Sequence, residues 1–136
     1  MTRVLLIDAD GRLTESVAMR CLEDGIAVRI AGTFCEGVRH LLETPVSLII
    51  LSSALVRLPG AKLAQLLDSV APGVPVVLRV DADQGIEEEV RFELHGFRVV
   101  REPFDVVDLV SKAEARVRVR MYRPSTAAAA VEAACR

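Results

Sequence analysis

The residues of this chain that could do chemistry stand directly after short apolar runs, in segments 8–10, 52–53, 80–81 and 102–104. Asp8 and Asp10 follow the first run, and Glu102 follows the last. Mg²⁺ is usually held by one or two carboxylates together with water. A serine hydroxyl such as that of Ser52 becomes a nucleophile only beside an activating base, and the sequence indicates none. The pattern therefore offers carboxylates for a cation, but no activated nucleophile.

Other familiar chemical motifs are missing from the sequence. No Gly-x-Gly-x-x-Gly or Gly-Lys-Ser/Thr loop follows the first apolar run, which disfavours a dinucleotide or nucleoside triphosphate site. Cys21, Cys35 and Cys135 are widely spaced and lack paired ligands, so we interpret them as reduced thiols. We therefore expect no catalytic residue, no enzymatic activity and no cofactor.

Composition limits the partners. The 136 residues are 51% apolar and 4% aromatic, with a net charge of −2, which argues against a disordered chain and disfavours nucleic-acid binding. The first apolar run ends at Ile7, and no run approaches the roughly 18 residues of a membrane span. We expect a cytoplasmic protein that does not bind membranes.

The elements that must position these residues alternate along the chain. Apolar runs predict strands over residues 3–8, 27–31, 47–51, 76–78 and 97–100, with a helix after each. Short linkers between them predict βαβ crossovers and a three-layer α/β/α sandwich with a parallel sheet. We expect one domain over residues 1–121. For the Ala-rich tail, residues 122–136, a frayed helix, disorder and a partner-docked helix all stay open.

In this arrangement ligands bind outside the carboxyl ends of the strands. From residue 3 to about 120, the sequence resembles the receiver domains of two-component response regulators. The markers are Asp8 at the end of the first strand, the core strand 48–51, Gly60 eight residues after Ser52, Val-Pro at 74–75 and Pro-Phe at 103–104. The resemblance implies a flavodoxin-like (βα)5 fold with strand order 2-1-3-4-5.

The resemblance also implies a phosphorylation pocket of two acids, an acceptor Asp, a Ser or Thr and a Lys. In this sequence those positions hold, in that order, Asp8, Ala9, Ser52, Val80 and Glu102. Shifting the fourth position by one residue would place Arg79 there, which also lacks a hydroxyl. Only Asp8 matches the pattern, so we interpret the pocket as degenerate.

These replacements affect the implied chemistry directly. Phosphoryl transfer to a receiver relies on a carboxylate nucleophile and Mg²⁺, and Glu102 would repel an incoming phosphate. A weak cation site between Asp8 and Glu102 stays open, although we assign no metal site. We predict a phosphorylation-independent pseudo-receiver that acts as a protein-interaction or scaffold module in bacterial signalling. The alternatives are an unorthodox phosphoacceptor and a small-ligand sensor that uses the modified pocket.

Acidic residues near the strand ends could also serve the helices. Asp10 and Asp83 precede the first and fourth helices, where a side-chain oxygen can accept hydrogen bonds from free backbone amides. We therefore expect both to be helix caps.

The candidate partner surface is the face made by helix four, strand five and helix five, which receivers typically use. Ile86, Val90 and Leu94 share one helical stripe, and we expect that stripe to face inward. Phe92, about 200° away at 100° per residue, should then point outward. Val99 stands where receivers commonly carry a switch aromatic.

Helix five contributes further candidates to this face. Val119 falls opposite the apolar stripe of the helix, while Arg116 and Arg120 lie near its end. The arginines could complement the helix dipole or contact an anionic partner. We expect a protein partner or a homodimer on this face, although single exposed apolar residues are also normal on monomers.

Overall fold

A computed structural model describes the backbone of residues 2–121 and the side chains through residue 115. The side chains of Arg116, Val119 and Arg120, and the whole tail 122–136, lie outside the described residues. Within residues 2–121, no helix combines the length and apolarity that a membrane span requires.

Five parallel strands form a single sheet. They are β1 (Arg3–Ile7), β2 (Ala27–Ala31), β3 (Leu48–Ser52), β4 (Val76–Arg79) and β5 (Arg98–Val100). Their order is β2-β1-β3-β4-β5, which confirms the predicted topology. Each strand begins and ends within one residue of its predicted position. Every residue of β3 is buried, as its continuous apolar run requires of a strand covered on both faces.

Helices cover both faces of the sheet. They are α1 (Gly11–Glu23), α2 (Phe34–Glu43), α3 (Gly60–Val70), α4 (Ile86–Leu94) and α5 (Val106–Met121). Alternate residues of each strand feed two separate cores. Leu5 and Ile49 belong to the core that includes residues of α2, α3 and α4. Val4 and Ile50 belong to the core beneath α1 and α5. These are the three layers that the sequence predicts.

Side-chain caps begin three of the helices. Asp10 caps α1 as predicted, accepting hydrogen bonds from the backbone amides of Arg12 and Leu13. Thr33 caps α2. An Asp105 carboxylate oxygen accepts a hydrogen bond from the Val107 amide at the start of α5. The prediction for Asp83 is wrong, because α4 begins after Gly85 and has no side-chain cap.

A second prediction, the outward orientation of Phe92 on α4, is also wrong. Its side chain is only 7% exposed, whereas Ile86 and Leu94 are 75% and 79% exposed, and Val90 is also exposed. The Phe92 ring packs edge-on against that of Phe97, with the ring centroids 6.3 Å apart. The periodicity grouped the apolar residues correctly but assigned them to the wrong face. One aromatic ring buries enough apolar area to decide which side of this nine-residue helix faces the sheet.

Candidate functional site

Three buried polar side chains meet at the carboxyl edge of the sheet. Asp8 follows β1, Ser52 ends β3 and Arg79 ends β4, and they are 3%, 2% and 6% exposed. Parallel pairing sets Ser52 directly beside Arg79. Since side chains alternate along a strand, all three project toward the face covered by α1 and α5. The sheet therefore brings an acid, a hydroxyl and a guanidinium into one pocket.

The Arg79 guanidinium is the centre of this pocket. Its Nε donates to Asp8 Oδ2 at 2.6 Å, and its Nη2 donates to Asp8 Oδ1 at 3.1 Å. Nη2 also donates to Ser52 Oγ at 3.2 Å. Nη1 donates to Asp81 Oδ1 at 2.9 Å and lies 3.7 Å from Glu102 Oε1. A two-pronged arginine–carboxylate contact of this kind is both strong and geometrically specific.

The buried pair is fully hydrogen-bonded. Asp8 Oδ1 accepts a further hydrogen bond from the Asp10 amide at 3.0 Å. Within the part of the chain that the structure describes, no buried side-chain nitrogen or oxygen lacks a partner. Desolvation by burial is the largest single influence on the Arg79 pKa and lowers it. The hydrogen bonds and charges of Asp8 and Asp81 together outweigh it and raise the pKa above its ordinary value. Arg79 is therefore a permanent cation.

The pocket gathers several carboxylates around one guanidinium. The carboxylates of Asp8, Asp81 and Glu102 all approach the same guanidinium. Over residues 2–115, no group of three or more His, Cys, Asp or Glu side chains is arranged to hold a metal ion. The arginine therefore stands among the carboxylates that would otherwise attract a cation.

The structure brings only some of the predicted pocket residues together. Asp8 and Ser52 lie together, and Glu102 lies at the rim with half of its side chain exposed. Val80 is 1% exposed and belongs to the core on the opposite face, so its side chain does not line the pocket. Ala9 is exposed between β1 and α1. Val80 and Ala9 therefore add no polar group to the pocket.

The sequence pattern does not predict the role of Arg79. The resemblance offers Arg79 only as an alternative to Val80 at the hydroxyl position. The available signal was a charged residue at the end of the apolar strand β4. Alternation puts Arg79 on the same face as Val77, and the sheet register puts it beside Ser52. A buried cation at that position requires an anion, and Asp8 supplies it.

A second polar cluster holds the loop between β4 and α4. Arg101, after β5, donates to the carbonyl oxygens of Asp81 and Gln84, each at 2.8 Å, and to Glu89 Oε2 at 3.3 Å. Gln84 Oε1 accepts hydrogen bonds from Ser53 Oγ at 2.8 Å and from the Asp81 amide at 2.9 Å. The loop is therefore bonded to residues that follow β3 and β5.

The surface of α4 is apolar and carries acidic neighbours. We call Ile86, Val90 and Leu94 the α4 stripe; all three are exposed, with Glu87 and Glu93 exposed beside them. Val99, which the sequence places on the same candidate face, is half-buried and packs against the core. The exposed apolar surface on this side of the described chain is therefore the α4 stripe rather than Phe92.

Comparisons with known proteins define the class of fold. No protein-family model and no curated protein sequence matches the chain. A two-component response regulator from Clostridium difficile is similar with a TM-score of 0.72 and 22% identity, over 90% of this chain and 100% of that one. A CheY-like response regulator receiver domain from Methanospirillum hungatei has a TM-score of 0.71 and 20% identity, over 89% and 97% of the two chains.

A third similar structure is a receiver-domain dimer. The beryllofluoride-activated NtrC4 receiver domain has a TM-score of 0.70 and 20% identity, over 85% of this chain and 95% of that one. Together these likenesses show that the chain has the fold of response-regulator receiver domains, as the sequence predicted.

Proposed function

We propose that this chain is a phosphorylation-independent pseudo-receiver. It acts as a protein-interaction or scaffold module in bacterial two-component signalling, in the cytoplasm and without enzymatic activity. Residues 1–121 form the receiver-like domain. The observation that carries the proposal is the Arg79 guanidinium, bonded to Asp8 and Ser52 where the family's pocket would gather its metal ion and phosphoryl group.

The pocket lacks the means to accept a phosphoryl group. An acyl-type phosphodonor transfers its phosphoryl group to a carboxylate, and a divalent cation neutralises the oxygens of the group that is transferred. At the acceptor position, Ser52 offers a hydroxyl that is bonded to a guanidinium, a group that cannot act as a base. Uptake of Mg²⁺ by Asp8 would require breaking a buried ion pair, which is energetically costly.

The groups that would sense a phosphoryl group are also replaced. Val80 lies in the core, and Glu102 places a negative charge at the rim. A modification can shift a conformational equilibrium only if it interacts differently with the two states. Because positions 80 and 102 lack the hydroxyl and the lysine that would respond to it, a phosphoryl group would not shift the conformational equilibrium of this chain.

Mass spectrometry of the intact protein tests the absence of phosphorylation. The chain is incubated with acetyl phosphate and Mg²⁺, and an ordinary receiver domain is treated in parallel. We expect the control to gain one phosphoryl group and this chain to keep its mass. A stoichiometric adduct would overturn the proposal in favour of the unorthodox phosphoacceptor.

The α4 stripe supports the protein-interaction part of the proposal. Three exposed aliphatic side chains in a row form a contiguous apolar strip, and such strips often mark interaction sites. The partner we propose is a second copy of the chain, docked through the face made by α4, β5 and α5. The dimeric state of the NtrC4 receiver domain supports this choice.

Sedimentation equilibrium tests the homodimer with a matched pair of variants. Leu94 is 79% exposed in the α4 stripe, and Leu42 is 69% exposed on α2. We expect Leu94→Gln to weaken self-association and Leu42→Gln to leave it unchanged. If both variants associate equally well, or if the unaltered chain stays monomeric at high concentration, the proposed homodimer is wrong.

A further inference from the structure

We infer that Arg101 is a positioning residue for the α4 stripe. From the end of β5 it fastens the β4–α4 loop and the first turns of α4, so that the stripe keeps one orientation without any phosphoryl group. This inference rests on the proposed function in one respect, namely that the α4 stripe is a binding surface.

Helix α4 needs such a fastening because little else holds its amino-terminal half. Phe92, near the carboxyl end, is the one buried residue of the helix. The helix begins after Gly85 without a side-chain cap, and residues 81–85 are all partly or fully exposed. The first amides of a helix have no partner within the helix, so an uncapped start is prone to fray. Burial alone therefore anchors only one end of α4.

Arg101 contacts this weak end at three points. Its guanidinium donates to two loop carbonyls, those of Asp81 and Gln84, and to the carboxylate of Glu89 in α4. The fork of N–H groups is rigid and planar, so several acceptors must keep fixed relative positions to satisfy it together. One side chain thereby sets the distance between the loop and the helix.

The same loop is also bonded to the Arg79 pocket. The Asp81 carboxylate accepts a hydrogen bond from Arg79, and its backbone carbonyl accepts one from Arg101. The Asp81 amide donates a hydrogen bond to the Gln84 side chain. Gln84 in turn accepts from Ser53, just after β3. The loop is therefore joined to three strand ends by side-chain hydrogen bonds. In this chain those bonds replace any contact that a phosphoryl group could supply.

Hydrogen exchange followed by mass spectrometry tests whether Arg101 fastens the β4–α4 loop to α4. We expect Arg101→Gln to speed amide exchange in residues 81–90 by about tenfold, because most of the three hydrogen bonds made by the guanidinium are lost. Arg101→Lys keeps the charge but loses the fork, so we expect segment 81–85 to exchange fast in this variant also. Arg91→Gln, which removes an exposed arginine of α4 paired with Glu88, is the control and should leave exchange unchanged.

Self-association distinguishes positioning from simple local stability. We expect Arg101→Gln to weaken the dimer by roughly tenfold although the α4 stripe itself is intact. If residues 81–90 exchange no faster in Arg101→Gln than in the unaltered chain, the inference is overturned. Faster exchange with undiminished self-association would also overturn it. If Arg101→Gln does not fold, Glu89→Ala removes one acceptor and is read in the same way. Hydrogen exchange can be measured without a binding partner. If the chain proves monomeric, the homodimer is refuted, but exchange still decides whether Arg101 fastens the loop to α4.

Discussion

Asp8 is paired with a cation that cannot dissociate, because the guanidinium belongs to the chain itself. A metal ion at such a position comes and goes with its concentration. Arg79 stays, and its two hydrogen bonds to Asp8 fix the orientation of the carboxylate. At the scale of single residues, Asp8 therefore has a permanent counter-charge.

The Asp8–Arg79 pair gives the first prediction. Arg79→Met should lower the free energy of unfolding by about 3–5 kcal/mol, because it leaves the Asp8 carboxylate buried without its counter-charge. Adding Asp8→Asn should restore much of the loss. Urea denaturation measures both variants. If the double variant is as unstable as Arg79→Met alone, the pair is not the cause of the loss.

Cys21 gives a prediction of pH dependence. Burial, and then the negative charge of Asp24, raise the pKa of this thiol above its ordinary value of 9.0. The unfolded chain therefore ionises at Cys21 first, so the contribution of this thiol to the free energy of unfolding should be constant below about pH 9 and should fall as the pH rises further. Cys21→Ala should lessen that decline in a denaturation series across pH 8–11, whereas Cys35→Ala, at an exposed thiol, should preserve it. Equal slopes in both variants would contradict the assignment.

At the scale of elements, the strands could be predicted because each is a dense apolar run between turn residues, whereas their order was predicted only from the resemblance to receiver domains. The face of α4 could not. Periodicity places Ile86, Val90 and Leu94 on one side and Phe92 on the other, but it does not say which side meets the sheet. That choice depends on Phe97 and the core beneath, which the helix sequence does not contain.

The pocket was predictable only in part, for a related reason. Strand ends located Asp8 and Ser52 correctly, since carboxyl ends of parallel strands share one edge of the sheet. The reach of Arg79 across two neighbouring strands depends on the register between β1, β3 and β4. The receiver pattern assigns a role to position 80, so it does not predict that Arg79, one residue earlier, lines the pocket.

The corrected orientation of α4 gives its own prediction. Phe92→Ala should cost about 3–5 kcal/mol, because it leaves a cavity in the core. Leu94→Ala, at an exposed position of the same helix, should change stability by no more than about 0.5 kcal/mol. Thermal or urea denaturation compares the two. Similar costs for both would contradict the buried position of Phe92.

At the scale of the whole molecule, four of the five strand ends contribute to one polar network. Asp8, Ser53, Arg79 and Arg101 bring β1, β3, β4 and β5 into it. A ligand that binds only the folded state raises its stability, by about 2.7 kcal/mol at one hundred times its dissociation constant. With Arg79 in place, Mg²⁺ should have no such effect.

Thermal unfolding checks this last prediction. Its midpoint should be the same with millimolar Mg²⁺ and with a chelator, once ionic strength is matched. A rise with Mg²⁺ that Asp8→Asn abolishes would show that the pocket binds the ion despite the guanidinium.

The distance along the chain between the two partners of the buried pair has a kinetic consequence. Asp8 and Arg79 are 71 residues apart, and their side chains can meet only after β1, β3 and β4 have aligned. Contacts of such long range tend to form late in folding, so losing them accelerates unfolding more than it slows folding. The pair should therefore govern how long a folded molecule lasts: Arg79→Met would shorten the native lifetime while leaving the speed of refolding nearly unchanged.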